Sequence, residues 1–162
     1  MQSEALTTLT ARYSLREDRI IADGVIHTGD ELRRAFTQRL ARALVAELVC
    51  QVSARTNNPL LRDFAQDEAI STKPQSDAVQ VAGGRPTWLV THAHFQQIDA
   101  GARVIFTEDD ERAVHLDCVE AVLRNLIDIF HKSFVAAVWD VGVFPAWAAG
   151  QARAAPQSQV IN

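Results

Sequence analysis

The strongest constraint on how this chain folds is an internal match. Val25-Ile26-His27-Thr28-Gly29-Asp30-Glu31-Leu32-Arg33 aligns with Val104-Ile105-Phe106-Thr107-Glu108-Asp109-Asp110-Glu111-Arg112, and five of the nine positions are identical. The alignment continues without a gap into two apolar ladders, Leu40, Ala43, Leu44, Leu48 and Val119, Val122, Leu123, Ile127. Repeated segments of this kind are supersecondary units that bury their apolar faces against one another. They constrain architecture and are silent on chemistry.

The pattern within each unit predicts strands followed by a helix. Residues 9–15 alternate, with Leu9, Ala11, Tyr13 and Leu15 on one side and Thr10, Arg12 and Ser14 on the other. Residues 19–22 return as a strand, Asp23-Gly24 is a turn signal, and 25–28 form a further extended piece. Residues 38–52 hold apolar positions at helical spacing. Two starts are open for the helices. A capping box at Thr28-x-x-Glu31, with a looser form at Thr107-x-x-Asp110, starts them near Gly29 and Glu108. Alternatively, 31–36 and 112–116 are short third strands, and the helices start after Thr37 and Asp117. The second version is preferred because it avoids a helix from 108 to 139, which is long for a globular fold.

The fold class expected is therefore α+β: a duplicated unit of antiparallel strands followed by a helix, with the helices packed on one sheet face. Residues 1–52 are the first unit and 87–147 the second. Residues 53–86 are an exposed linker carrying a short helix at 60–70, and 148–162 a flexible tail. The whole is one compact domain, which 162 residues suffice to build.

Composition excludes several function classes. A formal charge of −4 gives no electrostatic reason for a phosphate-backbone partner, so nucleic acid is not an expected ligand. The charge is uneven: residues 1–56 carry eight Arg against seven acidic residues, and 57–162 carry eight basic against thirteen acidic. Halves so charged attract one another within or between chains. No window reaches the length of a membrane span, and the first residues lack a signal peptide's basic and apolar regions. Cys50 and Cys118 show no C-x-x-C spacing and read as small buried thiols. The expected location is the cytoplasm.

Three candidate sites emerge. His92-Ala93-His94 places two imidazoles on one face of a strand, with His115 or Asp117 as a third ligand for a metal-dependent enzyme. Arg33, Arg34, Arg39 and Arg42 cluster in the first unit and would line a single-strand nucleic-acid groove, with Tyr13 and Phe36 as stacking platforms. The apolar segment 141–147, broken by Gly142 and Pro145, cannot extend a helix and needs a surface to cover; Phe144 and Trp147 are its anchors for self-association. His115 also lies three residues from Cys118, a thiol–base pair if both share a helix face. No Walker, G-x-S-x-G or G-x-G-x-x-G pattern occurs. The leading expectation is a non-enzymatic binding or assembly protein, a homodimer with room for a further protein partner and no cofactor. Single-stranded nucleic-acid binding and a histidine-based metalloenzyme are the alternatives.

Overall fold

A computed structural model describes residues 3–73, 77–81, 83–109 and 112–149. Among the described residues, seven strands and three helices follow one another as β1 (Glu4–Ser14), β2 (Arg19–Ile26), β3 (Glu31–Phe36), α1 (Gln38–Arg55), α2 (Pro59–Ser71), β4 (Thr87–Leu89), β5 (His92–Ile98), β6 (Gly101–Glu108), β7 (Arg112–Cys118) and α3 (Glu120–Ala137). The chain is mixed α and β, as the periodicities imply.

The strands form one sheet in the order β4-β3-β2-β1-β7-β6-β5. β1, β2 and β3 are an antiparallel meander, and so are β5, β6 and β7. They meet where β1 runs parallel to β7 over two pairings, Glu4 with Val114 and Ala5 with His115. The sheet is strongly curled. Phe36 of β3 packs edge-on against Phe106 of β6, four places along the sheet, at 5.4 Å between centroids. The two ends of the sheet almost touch, because β4 and β5 are joined by Val90 and Thr91 alone. The Val90 amide donates to Ala35 of β3 and the Thr91 amide to Thr107 of β6.

Both meanders share strand order and direction, and each is followed by an 18-residue helix. The matched nonapeptides do not occupy equivalent places in them. Val25 pairs with Glu31 beside its turn, whereas Val104 pairs with Leu116 in mid-hairpin.

Helix α1 starts after Thr37, whose hydroxyl accepts from the Leu40 amide, and it buries Ala41, Leu44, Val45, Leu48 and Val52. Residues 31–36 and 112–118 are strands, so the capping-box start near Gly29 and Glu108 is corrected. Helix α3 is preceded by Val119 rather than capped by Asp117. The Asp117 carboxylate instead accepts two hydrogen bonds from Arg103. α3 lies against β1 and β7, α1 against α3, β2 and β5, and α2 against α3. Leu123, Leu126, Ile127, Phe130 and Phe134 join Phe36, Leu44 and Val104 in one core. Buried Arg124 ties four pieces together. Its guanidinium donates to Glu120, to the Arg62 carbonyl and to Thr56, and it lies under the Trp147 ring.

Asp23-Gly24 is not a turn. β2 runs straight through it and turns at 27–30, where Gly29 takes a positive φ of 92°. The glycine marks a close approach instead. A Cβ at Gly24 would lie 2.5 Å from Arg34 Nη2 and 2.7 Å from the Thr8 carbonyl oxygen. The register of β1 slips between Leu6 and Thr8, so Leu6 and Leu9 both pair with inward residues of β2, Ile26 and Gly24. Nor is the whole of 71–86 exposed. Val81 is buried, because Asp23 and Arg33 bind its amide and carbonyl and hold it on the outer face of the sheet.

Candidate protein-binding groove

The surface that the fold leaves open runs between α1 and β5. β5 ends the sheet and pairs with β6 alone among the described residues. α1 passes along its free edge, and the Arg55 guanidinium at the helix end donates to the Gln97 side chain at the strand end. Between them lie two adjoining cavities. One, of about 450 Å³, is lined by Thr37, Arg39, Leu40, Thr91 and His92 among others. The next, of about 350 Å³, is lined by Leu44, Glu47, Ala93, His94 and Phe95. Leu40 and Ala43 border both, so the two form one continuous groove. Its floor is aliphatic and aromatic, and Arg39 and Glu47 stand on its helix side. Leu40 is only partly buried for this reason, whereas Leu44 and Leu48 are in the core. An edge strand beside a helix offers a partner two things at once: unpaired backbone groups and an apolar trough.

The two ends of the sheet differ in how they are protected. β4 is three residues long, with Pro86 before it and the Arg85 side chain bonded to the Glu31 carbonyl. β5 has seven residues, HAHFQQI, and contains no Lys, Arg, Asp, Glu or Pro. Natural edge strands are usually blunted by such residues or by shortness. β5 is the exception in this molecule.

The histidines expected to bind metal are spread over the outer face. His92 and His94 are exposed and stack 6.0 Å apart with rings 8° from parallel. His115 lies two strands away, across Ile105, and its Nδ1 bonds the Ser3 hydroxyl at 2.8 Å. Burial and the nearby Arg103 push its pKa below the usual range, against the pull of Asp117 and Ser3. Among the described residues no three His, Cys, Asp or Glu gather into a group able to hold a metal ion.

The four arginines diverge. Arg33 donates to Asp23 at 2.8 Å, Arg42 donates to Asp140 at 2.9 Å, and Arg34 is fully buried inside the curled sheet. Only Arg39 stays exposed and outside the ion pairs of the described residues. Phe36 is buried, and Tyr13 packs on Trp139, so neither is a free stacking platform.

Cys118 and His115 both fall in β7, three apart, and so point to opposite faces. Burial pushes the Cys118 thiol up to about 12, the reverse of an activated nucleophile. Cys50, expected to be buried, is exposed on α1.

The segment expected to anchor self-association folds back on its own helix. Phe144 is 7% exposed and sits edge-on to Phe134 and His131, and Trp147 covers Arg124. Ala148, counted with the tail by its composition, is also buried, and 150–162 lie outside the described residues. Sequence reading missed the groove itself. Its signal was present in the run 92–98, whose lack of charge and proline marks an unprotected edge.

Among the described residues no helix is long and apolar enough to cross a membrane. Comparison with known proteins gives no matching family model, no similar curated protein and no similar solved structure.

Proposed function

We propose that this chain is a non-enzymatic binding or assembly protein whose working surface is the groove between α1 and the free edge of β5. The observation that carries this reading is an uncharged seven-residue edge strand alongside an open apolar trough. Strand addition at such an edge draws affinity from main-chain hydrogen bonds and specificity from side-chain pockets. The partner is a protein segment able to take extended form, supplied by another protein or by a second copy of the chain. We read the two meander–helix halves as copies of one unit with helices laid on one sheet face, on the strength of their common strand order. The free thiols Cys50 and Cys118 fit the reducing cytoplasm. The nucleic-acid alternative has little left to stand on, since three of its four arginines are buried or paired.

Selection of displayed random peptides on the immobilised protein tests the reading. Peptides selected by the native chain should lose binding when Ala43→Arg fills the groove. Ala43 is exposed, so the variant should keep its fold. Selected peptides that bind this variant equally well, or a selection that enriches none on a chain whose solution mass is that of the monomer, would overturn the proposal.

A further inference from the structure

We infer that the partner at this edge is a second copy of the chain, bound through antiparallel pairing of β5 with β5 about a twofold axis at Phe95. The inference rests on the groove reading above and adds an occupant and a register to it.

The strand is self-complementary in this register. With Phe95 on the axis, His94 falls opposite Gln96 of the partner subunit and His92 opposite Ile98 of the partner subunit. No like charges meet, because the strand has none. A closed twofold arrangement uses the same edge on both subunits and leaves neither exposed.

Charge at the strand ends fixes the register. Arg39 lines the groove beside Thr91 and His92, at the start of β5. Asp99 follows Ile98 at the other end, as the first residue of the turn into β6. Both are exposed, and neither joins any ion pair of the described residues. Seven extended residues separate them by roughly 20 Å, so they cannot meet within one copy. Antiparallel pairing about Phe95 sets Ile98 against His92 of the partner subunit, so the turn that Asp99 opens lies at the end of the partner's groove that Arg39 borders. The twofold forms this contact twice.

The second exposed apolar patch, Leu60, Leu61 and Phe64 on α2, offers no such complementarity. It serves as the competing site in the test.

Sedimentation equilibrium at micromolar concentration should give twice the 17.9 kDa chain mass. Arg39→Asp or Asp99→Arg alone should weaken association by about tenfold or more, since each places like charges together at both ends of the strand. The double exchange should restore it. Both charged positions lie on the surface, so folding is not at risk, and circular dichroism confirms it. A monomeric native chain overturns the pairing, and so does a dimer that neither single exchange weakens. A dimer lost instead on Phe64→Asp assigns the contact to α2 and equally overturns it. A monomer that still selects peptides lost on Ala43→Arg leaves the groove reading standing while removing this one.

Discussion

Asp23 and Arg34 sit on neighbouring strands of one hairpin, both with no exposed surface, and on opposite faces of the sheet. Their surroundings could hardly differ more. Asp23 faces outward under the 77–81 segment. It accepts from Arg12 at 2.7 Å, from Arg33 at 2.8 Å and from the Val81 amide. Burial pushes its carboxyl up, and the hydrogen bonds and charges of Arg33 and Arg12 outweigh this and hold it below the ordinary value. Arg34 faces inward among Leu6, Gly24 and Trp88, and none of its three nitrogens has a hydrogen-bond partner. Burial lowers its pKa to about 10, eased only by the charge of Asp23 through the sheet. The contrast teaches that a buried charge stabilises through its partners and not through burial. The same strand pair contains a charge that organises its neighbourhood and one that the neighbourhood merely tolerates.

The comparison breaks first at Asp23. Asp23→Ala takes from Arg33 and Arg12 their shared carboxylate and frees the Val81 amide, so it should cost about 3–5 kcal/mol. Chemical denaturation measures this directly, and a cost below about 1 kcal/mol would place the cluster among ordinary surface pairs. Arg34→Met should act in the opposite sense. It exchanges an unpartnered guanidinium for an apolar chain of similar length, and a gain of about 1–4 kcal/mol is expected. A clear loss of stability would mean that Arg34 has acceptors not evident from its hydrogen-bond geometry. The linkage has a definite sign. A base whose folded pKa is lowered to about 10 binds its proton less well folded than unfolded. Its penalty is complete below that pH and is relieved as pH rises from there toward the unfolded value. The advantage of Arg34→Met over the native chain should therefore shrink above pH 10.

Gly24 sharpens the same contrast from the backbone side. Gly24→Ala puts a methyl group against Arg34 Nη2 and the Thr8 carbonyl oxygen. Overpacking of this kind costs about 1–3 kcal/mol. In the Arg34→Met background the side-chain clash is gone and the backbone one remains, so part of the cost should return. A double-mutant cycle reads the coupling, and strict additivity would show that the two positions do not press on one another.

These particulars show which features were legible in the sequence. The 3.6-residue ladders of α1 and α3 were plain, because a long amphipathic period has few competing explanations. Thr37 was recognisable as a cap for the same local reason. Asp23-Gly24 misled, because a turn and a close approach between strands demand the same residue, and only the tertiary partner, Arg34, separates them. The arginine cluster misled similarly. Adjacent Arg33 and Arg34 point to opposite faces of β3, one to a carboxylate and one to the interior, and residue type does not reveal facing. The nonapeptide match implied equivalent places for 25–33 and 104–112, and strand pairing puts them at different ones, since identity of short segments does not fix register. The run 92–98 carried the mark of an unprotected strand, but that this strand ends the sheet beside α1 is a property of sheet order, which no single strand encodes.

His115 offers a third treatment of a buried ionisable group, and the smallest expected effect. It is 9% exposed at the seam where β7 meets β1, and its Nδ1 bonds the Ser3 hydroxyl. Burial, then the charge of Arg103, lower its pKa, while Asp117 and Ser3 work the other way. Unlike Arg34, it can discard its charge near neutral pH. A lowered folded pKa means that the unfolded chain takes up the proton first as pH falls. Stability from this group is therefore complete above the unfolded value of about 6.5 and declines as pH falls below it. His131, lowered by burial against the pull of Asp128, adds a term of the same sign. The native chain should lose stability between pH 7 and 5, by roughly 1 kcal/mol or less per histidine. His115→Gln, which keeps a polar group for Ser3 and cannot titrate, should flatten its share of the slope. Denaturation midpoints at the two pH values supply the measurement. An unchanged slope would show that His115 is protonated as readily folded as unfolded, and that the seam between the two meanders is wetter than its burial indicates.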